Sequence, residues 1–181
     1  MMIKETKLKG CFIIQPQVFN DKRGYFIESY NQKSFNRALG LDINFVQDNE
    51  SQSSKGVLRG LHYQLGESAQ AKLVRVIKGK VLDVVVDLRE NSTSFGEHLS
   101  VELSEENKTQ FFVPRGFAHG FLVLEDDTIF SYKCDNFYDK QAEAGIIYSD
   151  EDLGIDWKFP KVKLIISDKD LVLPTLKNAR L

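Results

Sequence analysis

Val81-Leu82-Asp83-Val84-Val85-Val86-Asp87 reads as a β-strand. Period-two alternation places Val81, Asp83, Val85 and Asp87 on one face and Leu82, Val84 and Val86 on the other. Asp83 then stands among apolar neighbours and needs a polar partner. Similar short runs lie on both sides. Phe12–Ile14, Gly24–Tyr30, Asn44–Gln47, Val57–Tyr63 and Leu73–Ile77 precede it; Leu99–Leu103, Gln110–Val113, Gly120–Leu124, Ile129–Lys133 and Ile146–Tyr148 follow. They are rich in β-branched and aromatic residues and bounded by Gly, Asn, Asp or Ser, with turns at Gly79 and Glu125-Asp126-Asp127. Only Gln32–Leu39, stopped by Gly40, and a turn at Glu105–Asn107 after a Ser104 cap look helical. Many short strands and few short helices predict a mainly β chain. The expected architecture is a jelly-roll sandwich or barrel, two sheets face to face, whose interior can hold a ligand.

No repeat, low-complexity tract or linker divides the 181 residues, so one domain over 1–181 is expected, long enough to bury its own core. An apolar fraction of 42% and a charged fraction of 28% set disorder aside. A net charge of -2 provides no field that would gather nucleic acid, and no run approaches the ~20 apolar residues of a membrane span. The segment MMIKETKLKG lacks the apolar centre of a signal peptide, and Cys11 and Cys134 have no pairing or ligand spacing. A reduced, cytoplasmic protein is the expectation.

Polar residues on core strands are what this pattern leaves unexplained. Asp21-Lys22-Arg23-Gly24 through Glu28 is either a surface hairpin with a charge pair or part of a site. Gln47-Asp48-Asn49-Glu50-Ser51 and Val57-Leu58-Arg59-Gly60-Leu61-His62-Tyr63-Gln64 carry groups that bind anions and hydroxyls. Alternation from Val57 would put Arg59, Leu61 and Tyr63 on one face and Leu58, Gly60, His62 and Gln64 on the other, and buried polar groups there need partners or a ligand. Lys72 heads a strand, and His119 follows the turn Pro114-Arg115-Gly116. Tyr132 is either a core tyrosine with its hydroxyl tied off or a general acid. Asp170, in Ser167-Asp168-Lys169-Asp170, is either a solvated turn residue or the partner of a histidine at a returning strand end.

Pro114-x-Gly116-x-x-His119 resembles the second motif of the cupins, small jelly rolls whose histidines often hold a metal. The expected His-x-His of the first motif reads His62-Tyr63-Gln64 here, and an amide is a poor transition-metal ligand. A metal-free cupin-like barrel follows. A His, Tyr, Asp and Lys in such a cavity suit proton transfer at carbon. A carboxylate fixes the imidazole tautomer, the imidazole takes a proton, a phenol on the opposite side returns one, and a lysine steadies the enolate oxygen.

Nine ordered segments carry a closer resemblance: DKRGYFIE (21–28), FVQDN (45–49), LRGLHYQ (58–64), AKLVRV (71–76), VDLR (86–89), SFG (94–96), GFAHGF (116–121), YKC (132–134) and SDKD (167–170). Together they are similar to the signature of the dTDP-4-dehydrorhamnose 3,5-epimerases across nearly the whole chain. The resemblance implies inversion of C3 and C5 of a dTDP-4-keto-6-deoxy sugar without a cofactor, in dTDP-L-rhamnose synthesis. It makes His62 the base, Asp170 its orienting partner, Tyr132 the acid and Lys72 the enolate stabiliser. It puts Arg23, Glu28, Gln47, Asn49, Arg59, His119, Glu143 and Lys169 at substrate-binding positions, with Tyr138 stacking on thymine. It further implies a homodimer whose N-terminal region exchanges strands, so that Arg23 and Glu28 serve the neighbour's site. Asp135, where the family often has Thr, and Arg115, where it often has an acidic residue, depart from the pattern. The rivals are a relative that inverts one carbon only and a silent cupin that merely binds a sugar nucleotide.

Overall fold

The computed structural model describes residues 1–181. Thirteen strands are β1 (Met2–Glu5), β2 (Phe12–Gln15), β3 (Val18–Asp21), β4 (Gly24–Ile27), β5 (Gln47–Ser53), β6 (Leu58–Gln64), β7 (Lys72–Lys78), β8 (Lys80–Asp87), β9 (His98–Ser104), β10 (Gln110–Val113), β11 (Phe117–Val123), β12 (Thr128–Cys134) and β13 (Glu143–Gly145). Helix α1 (Gln32–Leu39) and the single turn α2 (Asp168–Leu171) are the α-helices. A six-stranded antiparallel sheet, β1-β2-β10-β7-β12-β5, faces a five-stranded one, β13-β6-β11-β8-β9, and β3-β4 forms a separate hairpin. This is the cupin-like double sheet that the strand count predicts. No helix is long and apolar enough to cross a membrane.

Strand β8 shows why both of its faces are apolar. Val81 and Val85 enter the core between the sheets with Val74, Phe111, Phe121 and Phe130. Leu82, Val84 and Val86 face the other way, where Ile146, Leu153 and Trp157 of the C-terminal third cover the five-stranded sheet. Burying both sets is worth about 1.5–3 kcal/mol per large side chain. A third cluster seats Phe35 of α1 on Ile14, Leu73 and Phe112. That helix runs as predicted, with Asn31 Oδ1 accepting the Ser34 N–H at its start and Gly40 left-handed at φ 67° at its end. The predicted turn at 105–107 is closed by Ser104 Oγ, which accepts from the Asn107 N–H.

Four expectations are corrected. The strand placed at Asn44–Gln47 begins at Gln47 and runs to Ser53, because its inward residues line a polar cavity and give no apolar alternation. Ile146–Tyr148 is not a strand: β13 ends at Gly145, Ile146 still exchanges backbone hydrogen bonds with Leu61 of β6, and from there the chain turns away, the Ile147 N–H donating to Pro174 O. The strand from Gly24 ends at Ile27. On β6 the alternation breaks between Arg59 and His62: Leu58, Leu61 and Tyr63 join the covered cluster, while Arg59 and His62 both face the cavity. The cause is a bulge. His62 pairs with His119 and Arg59 with Phe121, so three steps on β6 match two on β11.

Candidate active site

The bulge at Gly60 aims His62 into the space between the sheets. Gly60 has φ 111°, and a Cβ there would stand 2.7 Å from both His119 O and Gly120 Cα, so the approach of β6 to β11 requires glycine. The chain returns at the C-terminal side of this spot: the Leu58 N–H donates to Ile165 O and the Ile165 N–H to Gly56 O. Ser167 then caps α2, its Oγ accepting from the Asp170 N–H.

Asp170 is thereby set against His62, with His62 Nε2 2.7 Å from Asp170 Oδ1 while Oδ2 accepts the Gly60 N–H at 3.2 Å. The solvated-turn alternative falls, since Asp170 is 4% exposed. Burial pushes its carboxyl up, but the bonds from His62 and Gly60 outweigh it and hold the group below the ordinary carboxylate range. With Nε2 engaged, Nδ1 is the ring nitrogen left for a substrate.

Tyr132 comes from the opposite sheet, on β12, and packs on Phe130 with ring centroids 6.0 Å apart. Its hydroxyl makes no hydrogen bond within the chain, so it is not a tied-off core tyrosine. Burial raises its pKa, keeping it a proton donor at neutral pH. Lys72 starts β7 beside it, Nζ 5.9 Å from the Tyr132 ring centroid. Burial holds the Lys72 ammonium below its usual range, against the opposing fields of Cys134 and Asp83.

These groups share a cavity of about 670 Å³ lined also by Asn49, Arg59, His119 and Lys169. An adjoining chamber of about 280 Å³ shares Asn49, His62, Lys72 and Tyr132 and adds Gln47, Tyr138 and Glu143. Arg59 donates through Nε and Nη2 to Ser53 Oγ and meets no carboxylate, so its charge is free for an anion. Gln47 Nε2 donates to Asn49 Oδ1, and Gln47 Oε1 accepts the Tyr138 N–H. Tyr138 Oη (2.8 Å) and Lys169 Nζ (2.5 Å) both donate to Glu143, linking the loop, β13 and α2 at the mouth. Burial would raise the Glu143 carboxyl, but these two donors lower it. Nowhere do three His, Cys, Asp or Glu side chains gather as a metal site requires.

Eleven of the thirteen predicted site residues therefore meet in one place, counted over these linings and the α2 dyad. Arg23 and Glu28 do not. Arg23 lies at the β3–β4 turn, largely exposed and bonded to Asp21, and Glu28 is exposed beside Asn31. The sequence reading quoted Ser51 and Ser167 within their segments without giving either a role, and it missed Ser53. Period two from Gln47 through Asn49 reaches both Ser51 and Ser53, and that extension was the available signal. The two departures from the family pattern meet each other: Arg115 Nε donates to Asp135 Oδ2 at 2.9 Å, and Asp135 Oδ1 accepts the Ala71 N–H next to Lys72.

A cupin-like barrel with an imidazole–carboxylate pair on one wall and a free phenol and a lysine on the other defines an isomerase that works by proton transfer at carbon. A family model described as dTDP-4-dehydrorhamnose 3,5-epimerase matches residues 5–178. The dTDP-4-dehydrorhamnose 3,5-epimerase of Shigella flexneri is 52% identical over 94% of this chain and 93% of its own. The crystal structure of that enzyme from Elizabethkingia anophelis superposes with a TM-score of 0.94 at 57% identity, covering 98% of this chain and 97% of the other. A Legionella pneumophila epimerase in complex with dTDP-4-keto-L-rhamnose gives 0.94 at 45% identity, over 98% and 93%. The chain belongs to the dTDP-4-dehydrorhamnose 3,5-epimerase family.

Proposed function

We propose that this chain epimerises dTDP-4-dehydro-6-deoxy-D-glucose at C3 and C5, giving dTDP-4-dehydro-L-rhamnose in dTDP-L-rhamnose biosynthesis. The observation that carries the reading is the His62–Asp170 contact of 2.7 Å across the cavity from the unbonded Tyr132 hydroxyl. Both carbons flank the C4 ketone, so each C–H is acidified and its loss gives an enolate. His62, oriented by Asp170, takes the proton through Nδ1, and the carboxylate steadies the imidazolium. Lys72 faces the C4 oxygen as negative charge develops there. Tyr132 returns a proton from the other wall, which inverts the carbon.

Arg59 suits the diphosphate, Asn49, Gln47, His119, Glu143 and Lys169 the sugar and nucleotide hydroxyls, and Tyr138 the thymine face. The chemistry needs neither metal nor cofactor, because the ketone already supplies the electron sink. A homodimer in which each β3–β4 hairpin reaches the neighbour's cavity accounts for Arg23 and Glu28 lying apart from their own. A cytoplasmic location agrees with the nucleotide-sugar substrate.

The test is proton NMR of the substrate in D2O with EDTA-treated protein. Deuterium entering at both C3 and C5, with a reductase then yielding dTDP-L-rhamnose, is the expected result. Exchange at one carbon only would make it a mono-epimerase, and bound substrate without exchange would make it a binding module.

A further inference from the structure

A second imidazole–carboxylate pair stands beside the first. His119 on β11 is the direct cross-strand partner of His62, and its Nε2 lies 2.9 Å from Asp83 Oδ2 on β8. Asp83 is fully buried, and its other oxygen, Oδ1, has no hydrogen-bond partner. A carboxylate in this position is costly unless positive charge lies near it. Burial pushes the Asp83 carboxyl up, and the contact with His119 and the charge of Lys72, which enters from the opposite sheet and lines the same cavity as His119, act the other way.

We propose that Asp83 is a positioning residue for this reaction: it fixes His119 through Nε2 and supplies the buried negative charge against which Lys72 carries its ammonium. The inference rests on the proposed function, in which Lys72 must be cationic to steady the enolate oxygen. As the acceptor for Nε2–H, Asp83 leaves His119 Nδ1 as the ring nitrogen available to the substrate. Its charge also opposes the loss of the Lys72 proton that burial promotes. Other titratable or charged groups around Lys72 are Tyr132 and Cys134 on β12, and His119, His62 and Arg59 across the cavity. Around Asp83 they are His119, Lys72 and the Cys11 thiol of the N-terminal segment. The same cavities also hold Glu50, Asp170 and Lys169, and Glu143 beside them; Asp170 is taken up by His62 and Glu143 by Lys169 and Tyr138, and among the carboxylates Asp83 alone keeps a buried oxygen with no partner.

The experiment compares wild type, Asp83→Asn and His62→Ala. In the ligand-free proteins the Lys72 side chain is titrated by its ¹³Cε shift, and in turnover the pH profile of kcat is recorded. Removing the charge of Asp83 is expected to move the Lys72 titration and the alkaline limb of kcat to lower pH, and to lower kcat about tenfold or more. An unchanged Lys72 titration with full activity would overturn the inference. Should Asp83→Asn not fold, the Asp83 ¹³Cγ shift in the wild type decides: a carboxylate at neutral pH upholds the inference, and a neutral acid overturns it. His62→Ala separates the two readings. If it keeps full turnover the proposed function fails, whereas an inactive His62→Ala beside an unaffected Asp83→Asn sinks only the role of Asp83.

Discussion

His62 has one ring nitrogen committed to Asp170 and one left for chemistry, so its loss removes the base without touching the binding groups. His62→Ala is expected to lower kcat by at least ~10²-fold with intact substrate binding, read in steady-state assays and by calorimetry. Tyr132→Phe should fail differently. Deprotonation from the opposite wall survives, so solvent deuterium still enters the substrate while net inversion falls, and equal loss of both would tell against the opposed acid. Asp170 adds a stability signature. Burial raises its carboxyl, but the bonds from His62 and Gly60 pull it below its unfolded value, so its contribution is complete above the unfolded pKa of about 3.9 and fades as pH falls through the folded value. Asp170→Asn should therefore melt below the wild type near neutral pH, with the gap in Tm closing below about pH 4.

Strand β6 holds the site through a single irregularity. The bulge at Gly60 brings Arg59 and His62 onto one face, and it depends on two glycines meeting, since a Cβ on Gly120 would lie 2.7 Å from Arg59 O. Gly60→Ala should cost about 2–4 kcal/mol, from a positive φ and a clash with strand backbone, visible as a lower urea midpoint. Activity should drop further than unfolding explains, because His62 and Arg59 turn together. Strand β5 shows the opposite case. Gln47, Asn49, Ser51 and Ser53 point inward and are polar, so the strand carries no hydrophobic alternation although its ladder to β12 is unbroken from 47 to 53.

At the scale of the molecule, the hairpin β3–β4 leaves Phe19, Tyr25 and Phe26 exposed, and Arg23 and nearby Glu28 lie apart from the cavity of their own chain. In the proposed dimer, exchange of this hairpin would make each cavity composite. Arg23→Ala and His62→Ala, each inactive alone, should then recover activity on mixing and subunit exchange, up to about a quarter of wild type, because half the dimers are hybrids with one intact site. No recovery after verified exchange would place Arg23 in its own subunit's service or in none.

Residue types and period-two runs such as Val81–Asp87 determined by themselves that the chain is β, where most strands lie and that Asp83 needs a partner, and the ordered motifs carried the resemblance to the family. Alternation depends only on neighbours along the chain, and apolar residues report their own burial. The tertiary structure alone decided the rest. The facing of Arg59 with His62 needed the register of β6 against β11, and the extent of β5 was settled by its ladder to β12, since its inward residues are polar and show no apolar alternation. The pairing of Asp170 with His62 across 108 residues of sequence, and of Asp83 with His119, needed the packing of distant segments, because a hydrogen bond is fixed by distance in space.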